Sequence, residues 1–168
     1  ADKEIDGYTF ETKTTAGSVA NLRLISDGYI DLAIVQADLL SDAYNATGTF
    51  ADKKYQKGYK AVASLYTECC QIVVRKDSGI TGIDDLINKT VSVGASESGT
   101  EKNAEQILKM SGITDELINK VNMDYTEAAE KLKAGEIDAF FCTAGTRTEV
   151  IGQLSKECDI CLISLDDK

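Results

Sequence analysis

The chain has 168 residues, of which 43% are hydrophobic, and its formal net charge at pH 7 is −10. Only three arginines occur and no basic run is present, which argues against nucleic-acid binding, because that function needs clustered Lys and Arg. The chain has no histidine, so Ser-His-Asp and Cys-His catalysis within it are excluded, and no apolar run reaches the roughly 18 residues of a membrane helix.

Apolar periodicity divides the first 75 residues into alternating strands and helices. The predicted elements are a strand at 8–14, a helix from Ser18 to the residue before Gly28, a buried strand at 30–35, a short helix at 38–44, a surface loop at 45–60 and two strands within 61–74. A turn at 75–79 follows, and we place the crossing between two lobes there.

The second half of the chain continues this alternation. Its predicted elements are a short helix at 84–88, a strand at 90–94, a loop at 95–100, a helix at 101–111, a short helix and strand within 117–125, a helix at 126–134, a strand ending at 144, a helix at 146–156 and a last strand near 160. Such alternation predicts an α/β fold, with a parallel or mixed sheet covered by helices on both faces.

One phrase occurs twice in the chain, at 28–37 and again at 135–144. Each copy reads Gly-x-Ile-Asp, followed by a short apolar run and a small or polar residue, and each follows an amphipathic helix. The distance between the copies is too long for a solenoid repeat. The repeat therefore indicates two α/β lobes, and proteins of that design usually bind a small molecule in the cleft between the lobes.

The loop after the strand at 90–94 is the sharpest candidate site. It carries Ser96, Ser98, Gly99 and Thr100 at the start of a helix, where free backbone amides and hydroxyl groups favour an anionic oxygen. The alternative is structural, because Ser98 and Glu101 have the spacing of a capping box. The Gly-Lys-Ser/Thr ending of a phosphate-binding P-loop is missing.

Two further loops lie at the same kind of position, after a predicted strand. One contains Thr15, Gly17 and Ser18, and the other runs from 143 to 147 and includes Arg147. In open α/β sheets, ligands bind at the carboxyl ends of the strands. Arg147 would offer a charge-assisted contact to an acid group, with a solvated surface side chain as the alternative.

Several segments, in order along nearly the whole chain, resemble the TAXI-type solute receptors of tripartite (TRAP) transporters. They include TTAGSVANLRLI from residue 14, GYIDLAIVQAD from residue 28, VGASESGT from residue 93 and IDAFFCTAG from residue 137. The resemblance implies a two-lobed, type II periplasmic-binding-protein-like architecture. It also implies an extracytoplasmic protein that closes on a small anionic solute, a glutamate-like amino acid or a dicarboxylate, for the TRAP membrane permease subunits.

The residue patterns and this resemblance together give the predicted boundaries and site. The first lobe, 1–75, is expected to be incomplete and to carry a hinge-crossing strand near 61–75, and the second lobe is expected at 76–168. The predicted ligand-binding residues are Thr15, Gly17, Ser18, Asn21, Gln36, Tyr66, Ser96, Ser98, Gly99, Thr100, Ala144, Gly145 and Arg147. In this family Pro often follows the Ala-Gly of the third loop, whereas this chain has Thr146-Arg147.

The five cysteines do not point to a metal or redox site. Cys158 and Cys161 have the spacing of a CxxC pair, but redox pairs open a helix and zinc knuckles usually come in pairs. The residues around them are typical of a strand, and Cys69 and Cys142 are interpreted as core residues. We expect no cofactor, no metal and no enzymatic activity. The alternatives are a ligand-sensing domain of a signalling protein and an enzyme built on the same scaffold.

Overall fold

The computed structural model describes residues 7–52 and 58–165. The α-helices in these ranges are α1 Ser18–Ser26, α2 Ala37–Asn45, α3 Gly99–Met110, α4 Tyr125–Ala134 and α5 Glu149–Glu157. The strands are β1 Cys69–Arg75, β2 Thr90–Ser92, β3 Asn119–Val121, β4 Ala139–Ala144 and β5 Ile160–Leu162. Short 3-10 helices occupy Gly48–Phe50, Lys76–Ser78 and Ile83–Leu86. No helix in the described ranges is both long and apolar enough to cross a bilayer.

The five strands form one mixed sheet in the order β3-β2-β4-β1-β5. Strand β2 runs parallel to β3 and β4, whereas β1 is antiparallel to β4 and β5. Successive side chains of a strand point to opposite faces, so Phe141 packs in one hydrophobic cluster and Phe140 in another. The first cluster includes residues of α3 and the second includes residues of α4 and α5. The prediction of a mixed sheet with helices on both faces is confirmed.

Local signals in the sequence set the ends of the helices on this sheet. The Ser98 hydroxyl accepts a hydrogen bond from the Glu101 amide at the start of α3, and Asp124 does the same for Glu127 at the start of α4. Gly135 ends α4 with a φ of 77°, a left-handed conformation that glycine adopts without strain. These caps fix where each helix begins and ends relative to the sheet edge.

Residues 7–52 and 58–68 are here called the helical unit and residues 69–165 the sheet unit, because the buried core of α1 and α2 is separate from the two hydrophobic clusters on the sheet. Helices α1 and α2 share a small core with the 3-10 helix at Gly48–Phe50, formed by Val19, Leu22, Leu39, Ala43 and Phe50. No strand occurs in the described part of the helical unit. The described first lobe is therefore incomplete as an α/β lobe, as predicted from the resemblance.

The strands predicted at 8–14 and 30–35 are wrong, and the stretch 61–74 contains one strand instead of two, β1. Apolar side chains of these segments are exposed, namely Tyr8, Phe10, Leu32, Ile34, Val62 and Leu65. Alternating apolar residues form a strand only when a second strand satisfies the backbone N–H and C=O groups, and the described residues supply none here. Only the second copy of the repeated phrase, which contains β4, becomes a strand.

The turn predicted at 75–79 directly follows β1 and contains the 3-10 helix Lys76–Ser78. Strand β1 pairs with β4 and β5 along most of its length, so the sheet unit already includes residues before the turn at 75–79. The division of the chain at residue 75 stays a prediction. Part of the predicted surface loop at 45–60 lies outside the described residues, and the described part includes buried Phe50.

Candidate functional site

A wide cavity of about 1730 Å³ is lined by both units. It is larger than the roughly 300–1,000 Å³ of a typical small-molecule pocket. The helical unit contributes the loop before α1, Gln36 and the segment 58–68, and the sheet unit contributes the start of α3, the start of α4 and the end of β4. The cavity thus lies beside the carboxyl end of β4, where α/β proteins bind their ligands.

The first turn of α3 presents free backbone donors to this cavity. The hydroxyl of Ser98 caps helix α3 by accepting a hydrogen bond from the Glu101 amide. Ser98 thus acts as the helix cap that the sequence offered as its structural role. The predicted capping partner Glu101 instead accepts from the amide of Glu97, through Oε2 at 2.9 Å. None of the described residues accepts a hydrogen bond from the amides of Gly99 or Thr100. Two aligned amides at a helix N-terminus are suited to an anionic oxygen.

A closed ring of hydrogen bonds connects α3, α4 and β4 next to these amides. The amide of Thr143 donates to Thr100 Oγ1 at 3.4 Å, and Tyr125 donates from its hydroxyl to the carbonyl of Thr143 at 2.9 Å. The hydroxyls of Thr100 and Tyr125 are also hydrogen-bonded to each other. Thr100 therefore positions Tyr125 at the cavity wall, in addition to offering its backbone amide.

Burial extends the pH range over which the ring is uncharged. Desolvation raises the pKa of Tyr125 to about 12, with smaller contributions from Cys142 and the negative charge of Glu68. Desolvation likewise raises the pKa of the Cys142 thiol to about 11. Both groups are therefore neutral near pH 7 and act as hydrogen-bonding groups without charge.

Gln36 connects the helical unit to this end of the cavity. Its side-chain amide donates from Nε2 to Glu68 Oε2 at 2.9 Å. The same amide group lies directly against the α-carbon of Gly99, where any larger residue would overlap it. Glycine at position 99 is thus needed for the close approach of the Gln36 side chain to the backbone of α3. Because Gln36 also contacts Glu68, the Glu68 carboxylate is separated from the start of α3 by about one amide group.

The loop before α1 uses its polar groups within the protein. Asn21 accepts a hydrogen bond from the Thr15 hydroxyl and donates to the carbonyl of Ile34, and the hydroxyl of Ser18 accepts from the amide of Gln36. The first amides of α1 are also hydrogen-bonded within the protein. Those of Val19 and Ala20 donate to the carbonyl of Glu97 in the sheet unit at 3.2 and 3.3 Å. This loop therefore organises the cavity wall.

The structure brings most of the predicted ligand-binding residues to one cavity. Those that line it are Thr15, Gly17, Ser18, Gln36, Tyr66, Ser98, Gly99, Thr100 and Ala144. Asn21, Ser96, Gly145 and Arg147 do not line it. Ser96 and Arg147 are exposed, because the chain turns outward in both loops before the following helix begins.

The sequence places Thr143 at the start of a candidate ligand loop, but its patterns did not identify Glu68 and Tyr125 as residues of the cavity. Glu68 is the one charged residue in the apolar stretch 61–74, and that interruption was an available signal. Tyr125 belongs to a helix whose pattern looks purely structural. Its position at the cavity depends on the tertiary packing of α4 against β4.

The cavity wall has an acidic charge balance. Of the described charged residues that line it, four are acidic and Lys60 is basic; the acidic ones are Asp31, Asp38, Glu68 and Asp124. Asp124 caps α4 and Asp38 accepts a hydrogen bond from Asn103 at 3.4 Å. Any anionic group bound here must therefore rely on the local donors at the start of α3.

The cysteines lie apart from a metal-binding arrangement. All five are free thiols, and the described ranges contain no group of three His, Cys, Asp or Glu side chains able to hold a metal ion. Cys161 lies in β5 and Cys158 ends α5. The sequence predicts a buried strand at 159–163; the strand is confirmed, but Cys161 is exposed because β5 lies at the edge of the sheet.

A mixed sheet covered by helices, with a cavity at the strand ends lined by a second unit, defines an α/β protein with the periplasmic-binding-protein fold. The chain belongs to the NMT1-like family, whose profile matches residues 2–168. The family and fold agree with the broader part of the sequence-based expectation, and the TAXI subtype stays a prediction.

Solved structures agree with this fold. The alkanesulfonate-binding protein SsuA from Xanthomonas axonopodis pv. citri bound to MOPS matches with a TM-score of 0.55 at 18% identity, over 89% of this chain and 48% of that one. A putative periplasmic sulfonate-binding protein SsuA from Methylobacillus flagellatus KT matches with a TM-score of 0.50 at 21% identity, over 58% of this chain and 28% of that one. The chain thus spans about half the length of these proteins or less.

Proposed function

We propose that the protein binds a small solute with an anionic oxygen group, a carboxylate in the first instance, in the cavity between the two units. The observation that carries this proposal is the pair of unpartnered amides of Gly99 and Thr100 at the start of α3, which line that cavity. The amides and the helix dipole favour a negative group at this position. The Tyr125 hydroxyl, which is hydrogen-bonded to Thr100 and Thr143, forms part of the cavity wall next to them without adding charge.

The biological setting follows from the family and fold and is part of the proposal. An extracytoplasmic binding protein captures its solute and presents it to a membrane transporter, and the resemblance to TAXI receptors favours the TRAP permease subunits as the partner. The similar solved proteins are described as binding alkanesulfonates. Since a sulfonate offers the same kind of anionic oxygens to amide donors, it is the competing ligand class.

Calorimetry on the full-length protein tests the proposal. Glutarate, succinate, L-glutamate, L-alanine, taurine and ethanesulfonate are titrated separately, and the compounds that bind are titrated again into Thr100→Val. Removing the Thr100 hydroxyl opens the ring that holds Tyr125, so we expect affinity to fall about tenfold, the effect of losing one or two hydrogen bonds.

The matched control is Thr146→Val, which changes an exposed threonine outside the cavity and should leave affinity unchanged. Saturable binding that Thr100→Val weakens and Thr146→Val does not is the expected result. If no carboxylate or sulfonate binds, the proposed function is wrong. Equal effects of the two variants would place the binding site elsewhere.

A further inference from the structure

Glu68 is a carboxylate that forms no ion pair among the residues that the structure describes. Its side chain is partly buried at the cavity wall, and its hydrogen bond comes from the neutral amide of Gln36. Within the described ranges, no Lys or Arg nitrogen lies within 4.0 Å of its oxygens. A partly buried carboxylate is costly unless a positive group or several donors compensate its charge.

The described residues around Glu68 offer hydrogen-bond acceptors. Gln36 Oε1 is buried and has no hydrogen-bond partner among the described residues. The same holds for Thr143 Oγ1, which belongs to a residue nine-tenths buried that lines the cavity. The Cys70 thiol lies near Thr143 but makes no hydrogen bond of normal geometry with its hydroxyl. An incoming group with several N–H donors would satisfy these atoms.

The position of Glu68 relative to α3 suits a short ligand with two opposite charges. The Gln36 amide contacts both Gly99 and Glu68, so the carboxylate and the free amides of α3 are separated by about the size of one amide group. A carboxylate at α3 and an ammonium at Glu68 would therefore belong to one small molecule.

We infer that Glu68 binds the ammonium group of the solute, so that the ligand class is a zwitterion, an α-amino acid or a short amino sulfonate, and not a dicarboxylate. This inference rests on the proposed function. The other charged residues on the cavity wall favour the same conclusion. A dianion would meet Asp31, Asp38 and Asp124, and Lys60 is the one basic residue among the described residues of the wall.

Ligand pairs that differ in the amino group provide the test on the full-length protein. The pairs are L-glutamate and glutarate, L-alanine and propionate, and taurine and ethanesulfonate, measured by calorimetry at pH 7. For any pair that binds, the amine-bearing member should bind at least tenfold more tightly. Glu68→Gln should reduce that preference by about tenfold or more, since it removes the negative partner of the ammonium. It should not weaken the binding of the amine-free anion, which meets one negative charge fewer on the cavity wall.

Two variants separate a direct contact from a general effect of charge. Asp38→Asn removes another cavity carboxylate and should weaken the amine-bearing ligand less than Glu68→Gln does. Glu116→Gln removes an exposed carboxylate outside the cavity and should change nothing. Melting curves of all three variants close to that of the wild type show that each is folded.

The outcomes are distinguishable. Amine-free ligands that bind as tightly as their amine-bearing partners, or equal losses in Glu68→Gln and Asp38→Asn, overturn the assignment of Glu68 and leave the proposed function standing. Absence of binding by every member of every pair overturns both.

Discussion

Tyr125 is a residue of the cavity wall whose ionisation is expected to affect the stability of the fold. Its hydroxyl lies at the junction of α3, α4 and β4, where it bonds to the Thr100 side chain and to the Thr143 carbonyl. The phenol remains protonated over a wide pH range because ionisation would place a charge in a partly desolvated position. The protonation state of Tyr125 is therefore coupled to the folding of the sheet unit.

We expect the free energy of unfolding to fall between about pH 10 and pH 12. The pKa of Tyr125 is raised from 10.0 to about 12, so the folded protein holds this proton more tightly than the unfolded chain does. The stabilisation is complete below pH 10 and is lost as the pH rises through the folded pKa. Because Tyr125 is only partly buried, we expect a loss of about 1 kcal/mol, measured by urea unfolding at several pH values.

Tyr125→Phe isolates this contribution from the titration of other groups. At pH 8 the variant should be about 1 kcal/mol less stable than the wild type, because it lacks the hydroxyl hydrogen bonds. That difference should shrink toward pH 12, since the variant has no phenol to ionise. The control Tyr29→Phe changes a tyrosine that is 75% exposed and should follow the wild-type curve. A difference that stays constant with pH would contradict the assignment.

At the residue scale, the sequence predicted the donors of the site better than its acceptors. Gly99 and Thr100 follow a strand and open a helix, a local pattern with a known chemical consequence. Glu68 and Tyr125 carry no such pattern, because their place at the cavity depends on the pairing of β1 with β4 and on the packing of α4. Thr15 and Ser18 line the cavity, but the hydrogen bonds of their hydroxyls to Asn21 and Gln36 could not be predicted from spacing.

At the element scale, helix α3 links stability to the proposed binding site. Its Ser98 cap fixes the first turn, which leaves the Gly99 and Thr100 amides available to the cavity. The first turn of α3 is both the capped end of the helix and part of the proposed binding site. A change of the Ser98 cap should therefore lower the free energy of unfolding even when no ligand is bound.

Ser98→Ala should lower the free energy of unfolding by about 0.5–2 kcal/mol, the usual effect of losing an N-cap side chain. The matched control is Ser96→Ala, two residues earlier in the same loop, where the side chain is exposed. That variant should stay within about 0.5 kcal/mol of the wild type. Urea unfolding of both variants gives the comparison, and equal effects would show that Ser98 does not act through the cap.

The strands illustrate why some elements could be predicted and others could not. The two copies of the repeated phrase have similar periodicity, yet only 139–144 forms a strand, because β1 and β2 lie on either side of it and complete its hydrogen bonds. The copy at 28–37 has no such neighbours among the described residues, and its Leu32 and Ile34 are exposed. Periodicity identifies a segment that is able to pair, whereas pairing itself is a property of the whole sheet.

At the scale of the whole molecule, Glu97 is the main polar contact between the helical unit and the sheet unit. Its φ is 63°, a conformation that non-glycine residues seldom adopt. This conformation directs its carbonyl to the amides of Val19 and Ala20, and its carboxylate forms an ion pair with Arg23 at 2.6 Å. The ion pair is exposed and contributes little by itself, so the backbone contact should dominate.

Gly17→Ala should loosen this contact between the units. Gly17 has a φ of 134° and a ψ of −154°, a region that is essentially restricted to glycine and costs other residues about 1–3 kcal/mol. A Cβ at this position would also lie 3.0 Å from the α-carbon of Ser98. We expect faster hydrogen exchange at the Val19 and Ala20 amides, with unchanged exchange in β1 and β4, measured by NMR.

The control variant is Gly152→Ala, in the interior of α5 with open space around it. It should leave the Val19 and Ala20 amides protected and stabilise the helix slightly. Uniformly faster exchange in Gly17→Ala would instead indicate global destabilisation, and unchanged exchange at Val19 and Ala20 would show that the units are held together by other contacts.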